Sequence, residues 1–131
     1  MLIDTSGWLS IFDTRETSHD RALALYGSRQ QLLTHSYILV EFVSLANARR
    51  THRQSMLTFF SGLISDADIE IIWVDDQLTL RAFDLLESRT DKAWSLCDAV
   101  SFVIMSDVGI AEALTTDRHF EQAGFTKLLD H

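Results

Sequence analysis

The sequence predicts a three-layer α/β/α sandwich around a short, mainly parallel sheet. Short apolar segments rich in β-branched residues alternate with longer segments whose apolar residues recur every three or four positions, which is the pattern of strands connected by helices. The apolar fraction of 47% in 131 residues is enough for a buried core. We therefore expect residues 1–131 to form a single domain.

The first 64 residues contain the signals of two strands and four helices. Leu2 and Ile3 are a short apolar segment, as expected of a buried strand. Gly27 follows a helical pattern and is a typical helix stop. Ser6 and Ser36 are candidate N-caps, because a serine oxygen can accept hydrogen bonds from the first free amides of a helix. In order, the predicted elements are strand 2–3, helix 6–12, helix 18–26, strand 31–34, helix 36–49 and helix 53–64.

The second half of the chain continues the alternation. Residues 69–74 are β-branched and aromatic, which is typical of a strand. Asp75 and Ser95 each precede an amphipathic segment and mark helix starts. The predicted elements are strand 69–74, helix 75–86, helix 95–106, strand 113–115, helix 118–123 and strand 126–129.

Composition limits the classes of function. The formal net charge of −8 opposes broad electrostatic binding of nucleic acid, although a small site that holds one phosphate through a metal needs no basic surface. An acidic surface also suits a basic partner protein. A single cysteine suggests a reducing compartment. No segment is long and apolar enough to cross a bilayer, and the N-terminus does not resemble a signal peptide, so we expect a cytoplasmic protein without membrane contact.

Four acidic residues border or interrupt apolar segments: Asp4, Glu41, Asp98 and Asp117. Desolvating a carboxylate is costly for folding unless its charge is neutralised. Asp4 and Asp117 follow predicted strands. Asp98 lies in the first turn of a predicted helix, and Glu41 lies about one turn into a helix that follows a strand. Since ligands gather at the carboxyl ends of parallel strands, we expect the four residues to meet around a cation. Hard oxygen ligands favour Mg²⁺ or Mn²⁺.

Three of these acids also have a local explanation. Asp4 and Asp117 each precede a predicted helix and could cap it, and Ser95-x-x-Asp98 fits a capping box. Glu41 has the weakest local explanation, because the residues three and four positions away carry no positive charge. Without metal the clustered carboxylates repel one another, so some of them should have raised pKa values.

Other charged and reactive residues allow two interpretations or favour a structural one. Arg49, Arg50 and Arg53 form a dense basic segment, which is either a solvated helix end or a possible contact to the backbone of a nucleic acid. Cys97 has no histidine nearby in the sequence and is expected to be a small buried apolar residue. The five histidines show no zinc-ligand spacing. The three tryptophans are expected in the core or at an interface rather than as base-stacking platforms.

Together, these motifs resemble those of the PIN domain family, and more narrowly the VapC toxins of bacterial toxin–antitoxin pairs. The resemblance covers nearly the whole chain, in order. Its segments are Leu-Ile-Asp4-Thr-Ser6, Glu41 within a helix, Trp-Ser-Leu-Cys-Asp98 and Thr-Thr-Asp117-Arg-His-Phe. One position differs. Similar sequences commonly have threonine immediately before the third acid, whereas this chain has Cys97. Because sulfur is a poor ligand for a hard metal, a contact that needs a hydroxyl there would be lost.

The resemblance implies a ribonuclease that depends on Mg²⁺ or Mn²⁺. It also implies a homodimer and a cognate antitoxin that blocks the site with a basic side chain over the acids. The residues implied are an acidic cluster of Asp4, Glu41, Asp98 and Asp117, supported by the polar residues Ser6 and Thr116.

The leading hypothesis is therefore a toxin endoribonuclease that hydrolyses RNA phosphodiester bonds with metal-activated water. The alternative is a catalytically weak PIN-like module that binds a partner protein or nucleic acid. A metal-dependent phosphatase ranks last, because Ser6 stands where the common Asp-x-Asp start has its second acid.

Overall fold

A computed structural model describes residues 1–28 and 30–130. Its central element is a five-stranded sheet in which all neighbouring strands are parallel. The strands lie in the order β3-β2-β1-β4-β5. They are β1 (Leu2–Ile3), β2 (Leu32–His35), β3 (Ile69–Ile72), β4 (Glu112–Leu114) and β5 (Thr126–Lys127). The predicted α/β sandwich with a parallel sheet is confirmed.

Helices connect and cover the strands. They are α1 (Thr5–Phe12), α2 (His19–Tyr26), α3 (Ser36–Ala48), α4 (Arg53–Ser65), α5 (Asp76–Ser88), α6 (Leu96–Val108) and α7 (His119–Gln122). Every predicted element is present, and the boundaries differ by no more than two residues. Within the described residues, no helix has both the length and the apolar character needed to cross a bilayer.

The predicted N-cap of the first helix is wrong. Helix α1 begins at Thr5, so Asp4 takes the N-cap position, although its side chain makes no capping hydrogen bond. Ser6 lies in the first turn, and its hydroxyl contacts that of Thr115 at 3.1 Å. The helix begins early because β1 ends at Ile3, which leaves one residue between strand and helix.

The predicted N-cap of the third helix is also wrong. Strand β2 runs directly into α3, and the cap is the buried His35, whose Nδ1 accepts from the Ile38 amide at 3.4 Å. Its Nε2 lies 2.8 Å from Ser101 Oγ on α6. Ser36 accepts from the Val74 amide at 2.9 Å instead, which connects α3 to the end of β3.

Two apolar clusters fill the space between sheet and helices. The larger contains the fully buried rings of Trp8, Phe42 and Phe120. The smaller joins β2 to α5 and α6. Trp8 and Trp94 are buried, as expected of core residues, whereas Trp73 is 65% exposed.

Gly7 brings α1 into direct contact with β4. A Cβ atom at this position would lie 2.2 Å from the Leu114 carbonyl oxygen, far inside van der Waals contact. The absence of a side chain therefore allows the helix backbone to approach the strand, and this close approach places Ser6 beside Thr115.

Candidate active site

The candidate site lies at the carboxyl edge of the sheet, next to β1 and β4. Strand order reverses between these two strands, and such a reversal opens a crevice at that edge in parallel α/β folds. A cleft of about 440 Å³ is present there. It is lined by Asp4, Thr5, Ser6, Glu41, Leu45, Thr116, Asp117 and Arg118.

Asp4 is the most desolvated acid of the cleft. It is 5% exposed, and its Oδ2 accepts from the Thr115 hydroxyl at 3.0 Å. The pKa of Asp4 is raised to about 7, chiefly by burial and to a smaller extent by the nearby charges of Asp98 and Glu41, whereas hydrogen bonds from the Thr5 backbone and the Thr115 side chain oppose the shift. A raised pKa is expected from repulsion among clustered carboxylates, but burial is the larger cause here.

A chain of hydroxyls supports Asp4. The Thr115 hydrogen is given to Asp4, so the Ser6 hydroxyl donates to Thr115 Oγ1. Ser6 Oγ in turn accepts from the Thr116 amide at 3.0 Å, and Thr115 Oγ1 accepts from the Asp117 amide at 3.0 Å. Hydrogen bonds through the Thr115 and Ser6 hydroxyls thus connect Asp4 to the segment after β4.

Asp98 takes the capping role considered for it and also contacts a second side chain, His119. It is 7% exposed and forms the predicted capping box, in which its Oδ2 accepts from the Ser95 amide at 3.0 Å and Ser95 Oγ accepts from the Asp98 amide. The same Oδ2 lies 2.9 Å from Nδ1 of His119. The capping role therefore occupies one carboxylate oxygen.

Asp117 is half-buried and also has a local role, because its Oδ1 accepts from the His119 amide at 2.9 Å and so supports the start of α7. Ligand atoms of Asp98, Asp117 and His119 lie within 4.8 Å of one another. Asp4 and Glu41 are not members of this tightest group. That all four acids meet around one cation stays a prediction; the tightest group of ligand atoms among the described residues includes His119.

Glu41 does not fit the argument from desolvation. It is exposed on α3, and so is its neighbour Val40, at 66%. The core-facing side of the helix carries Ile38, Leu39 and Phe42 instead. Glu41 nevertheless lines the cleft, and its charge raises the pKa of Asp4 and of Cys97.

Cys97 is half-buried and packs against the larger apolar cluster. Burial raises the pKa of its thiol, and the charges of Glu41, Asp4 and Asp98 act in the same direction. A thiol in such surroundings stays protonated and is a weak nucleophile.

The four acids lack basic partners. In residues 1–28 and 30–130, no lysine or arginine forms an ion pair with Asp4, Glu41, Asp98 or Asp117. The charged or chargeable partner of this group is His119. Such clustered negative charge is costly for folding and favours a bound cation.

Comparison with known proteins identifies the family. The PIN domain family matches residues 1–126. The chain belongs to the PIN domain family. It is 28% identical over 129 residues to the 23S rRNA-specific endonuclease VapC20 of Mycobacterium tuberculosis, in strains CDC 1551/Oshkosh and ATCC 25618/H37Rv, with 98% of this chain and 97% of the relative covered.

A solved structure supports the same relationship. The crystal structure of Mycobacterium tuberculosis VapC20, described as a Sarcin-Ricin loop cleaving toxin, matches this PIN domain with a TM-score of 0.86. The sequences are 26% identical, and the match covers 96% of each chain. The two proteins therefore share one fold over nearly their whole length.

Sequence reasoning missed three residues that contact the acids or line the candidate cleft. Thr115, rather than Thr116, supplies the hydroxyl that holds Asp4; Thr116 supplies a backbone amide. His119 was considered only for zinc spacing. Arg118 lines the cleft. All three flank Asp117 in the sequence, so proximity to a candidate acid at a strand end was the available signal.

The basic segment divides between two environments. Arg49 pairs with Glu16 and lines a smaller cleft of about 180 Å³ that shares Ser6 and Thr116 with the main one. Arg53 donates to Asn47 Oδ1 at 3.1 Å, and Arg50, two residues after the end of α3, has a positive φ of 54°. Of the three arginines, Arg49 is the one that lines a cleft bordering the acids.

Proposed function

We propose that this PIN domain is a metal-dependent endoribonuclease and the toxin of a toxin–antitoxin pair. The observation that carries the proposal is the group of acids, two of them buried, that forms no ion pair with lysine or arginine in the described part of the chain and has only His119 as an ion-pair partner there. Similarity to VapC20, a protein named as a 23S rRNA-specific endonuclease, supports RNA as the substrate.

The donor set fits a hard divalent cation. Carboxylate oxygens are the ligands that Mg²⁺ and Mn²⁺ prefer. Thr5 Oγ1, in a residue that lines the same cleft, is a buried oxygen without a hydrogen-bond partner. We assign the ion to Asp4, Glu41, Asp98 and Asp117. When bound, it supplies a Lewis acid that activates water and neutralises charge on a phosphodiester.

The surrounding side chains would keep these ligands in place. Thr115 holds one oxygen of Asp4, and Ser6 holds Thr115. The amide of Ser95 holds one oxygen of Asp98. Because these contacts come from backbone and neutral hydroxyl groups, they orient the carboxylates without neutralising them, which leaves their charge available for a cation.

We propose that the RNA backbone passes close to Arg118 and Arg49. Arg118 is exposed at the main cleft, and Arg49 lines the adjoining one. Arginine binds phosphate well because its planar group presents several donors. Arg50 and Arg53 are candidate contacts farther along the same segment. Local arginines beside the acids would reconcile RNA binding with a net charge of −8.

The partners follow from the same proposal. A cognate antitoxin would cover the acids with a basic side chain, since opposite charges complement each other at interfaces. A homodimer is supported by Leu80 and Phe83, which lie three residues apart on α5 and are 63% and 52% exposed. Because RNA is the proposed substrate, we assign the activity to the cytoplasm. We also propose that residues 1–131 act as one domain, because β1 pairs with β4 near the other end of the chain.

An RNA cleavage assay tests the function. The purified chain is incubated with ribosomal RNA and with a single-stranded RNA, in Mg²⁺, in Mn²⁺ and in chelator. Cleavage should require metal. Asp4→Asn and Asp98→Asn should each reduce it by more than about 100-fold, beyond the 10- to 100-fold typical of groups that support a ligand.

Asp76→Asn is the matched control. Asp76 is an exposed acid in the first turn of α5 and does not line the cleft, so its replacement should leave cleavage unchanged. Full metal-dependent cleavage by Asp4→Asn and Asp98→Asn would reject the proposal. RNA binding without cleavage in any metal would favour the alternative of a PIN-like binding module.

A further inference from the structure

His119, the first residue of α7, contacts two acids of the site. Its Nδ1 lies 2.9 Å from Asp98 Oδ2 and 3.5 Å from Asp117 Oδ1. Its backbone amide donates separately to Asp117 Oδ1 at 2.9 Å. One residue thereby links a carboxylate carried by α6 to a carboxylate in the loop after β4.

The contact with Asp98 determines where the imidazole carries a hydrogen. An ionised carboxylate can only accept hydrogen bonds, so Nδ1 must be the donor when Asp98 is ready to bind a cation. A nitrogen that donates its hydrogen in this way has no lone pair for a metal. Hydrogen bonds from nitrogen to an ionised carboxylate are also stronger than those between neutral groups.

The two donors to Asp98 meet on the same oxygen. Oδ2 accepts from the Ser95 amide at 3.0 Å and from His119 at 2.9 Å. Among the described residues, no hydrogen bond reaches Oδ1 of Asp98. Two donors on one oxygen fix the plane of the carboxylate and leave the other oxygen open to a ligand.

We propose that His119 is a positioning residue that, together with the Ser95 amide, holds Asp98 so that its free oxygen faces the cation. The inference rests on the proposed metal-dependent function. Groups that hydrogen-bond a metal-binding carboxylate or imidazole commonly determine its orientation, and their loss costs about 10- to 100-fold in metal affinity or activity.

Calorimetric titration of the full chain with Mn²⁺ tests this role. His119→Phe keeps an aromatic ring but removes the donor, and His119→Gln carries its amide near the place of Nε2. Both should weaken Mn²⁺ binding by about 10- to 100-fold. His119→Asn places an amide near the position of Nδ1 and should restore most of the affinity. All three variants retain the backbone amide that donates to Asp117.

Two controls separate positioning from folding. Thermal unfolding in chelator reports whether each variant is folded. If His119 had only a structural role, His119→Asn and His119→Phe would bind Mn²⁺ with the same affinity. His52 is the exposed N-cap of α4, and asparagine is a good N-cap, so His52→Asn should leave Mn²⁺ affinity unchanged.

Two results would overturn the proposal. Wild-type Mn²⁺ affinity in His119→Phe would remove the positioning role. Nitrogen coupling in the electron paramagnetic resonance spectrum of bound Mn²⁺, lost in His119→Phe, would make His119 a ligand instead. Asp98→Asn identifies which of the two proposals has failed. If Mn²⁺ binding depends on Asp98 but not on His119, only the positioning role is rejected. If the wild type binds no Mn²⁺, the proposed metal-dependent function is rejected as well.

Discussion

At the scale of single residues, a local role and a functional role can coexist in one carboxylate. Asp98 completes a capping box through Oδ2, and Asp117 supports α7 through Oδ1. A carboxylate has two oxygens and several acceptor sites, so a capping bond does not consume its capacity for a ligand. Evidence for a cap is therefore not evidence against a site.

His35 gives a prediction at the same scale. Burial lowers its pKa to about 3, so the folded protein keeps the ring neutral while the unfolded chain takes up a proton below its ordinary pKa of about 6.5. This contribution to stability is present at pH 7 and is lost as the pH falls toward 3. Between pH 7 and pH 5, the loss should be about 2 kcal/mol.

Urea unfolding at the two pH values measures this effect. His35→Asn removes the titrating group while keeping an acceptor at the cap, so the variant should be less stable at pH 7 but should lose about 2 kcal/mol less than the wild type on acidification. Equal losses in the two proteins would show that His35 does not govern the acid response.

At the scale of elements, the site depends on how closely strands run into helices. One residue separates β1 from α1, and none separates β2 from α3. These short connections place Asp4 at the edge of the sheet and Glu41 in the second turn of α3. The contact of α1 with β4 at Gly7 then fixes the distance between Ser6 and Thr115.

Gly7→Ala tests this contact. The new Cβ would lie 2.2 Å from a backbone oxygen of β4, and backbone cannot move aside as a flexible side chain can. We expect a loss of more than about 2 kcal/mol in unfolding free energy. RNA cleavage by any folded fraction should also fall, because Ser6 would move away from Thr115.

Gly62→Ala is the control for Gly7. Gly62 lies within α4, and a Cβ there would meet nothing within 4 Å. Because alanine favours helix over glycine, this variant should be more stable by about 0.5–1 kcal/mol. Similar destabilisation of both variants would contradict the proposed helix–strand contact.

At the scale of the whole molecule, the balance of charge connects stability to ligand binding. The chain carries a formal charge of −8. Part of this negative charge is concentrated in the acids of the candidate site, which form no ion pairs with lysine or arginine among the described residues. An ion that binds the folded state alone stabilises it in proportion to the logarithm of its concentration. Metal should therefore act on the fold as well as on the reaction.

Thermal unfolding with increasing Mn²⁺ measures this coupling. At a Mn²⁺ concentration about 100 times the dissociation constant, the gain in stability should be about 2.7 kcal/mol. Chelator should reverse it, and Asp4→Asn should abolish most of it while Asp76→Asn retains it. An equal response in the Asp4 variant would place the stabilising ion elsewhere on the protein.

The pattern of the sequence was sufficient to predict the elements and the fold class. The strands and helices follow from local apolar periodicity, and their alternation favours a parallel sheet. The acids were recognised because charges next to strand ends stand out. The N-caps of α1 and α3 were assigned wrongly, because the distance between a strand and the next helix depends on packing against other elements.

The sequence by itself determined which residues follow each strand, because the strands are recognised from local apolar patterns and the residues after them can be read directly. Only the tertiary structure decided which of their atoms meet. The hydroxyl that holds Asp4 belongs to Thr115, and the imidazole that contacts Asp98 belongs to His119. Both contacts span many residues of sequence. The first depends on β1 and β4 being neighbours in the sheet, and the second depends on the packing of α6 against the start of α7. Neither local periodicity nor residue spacing contains that information.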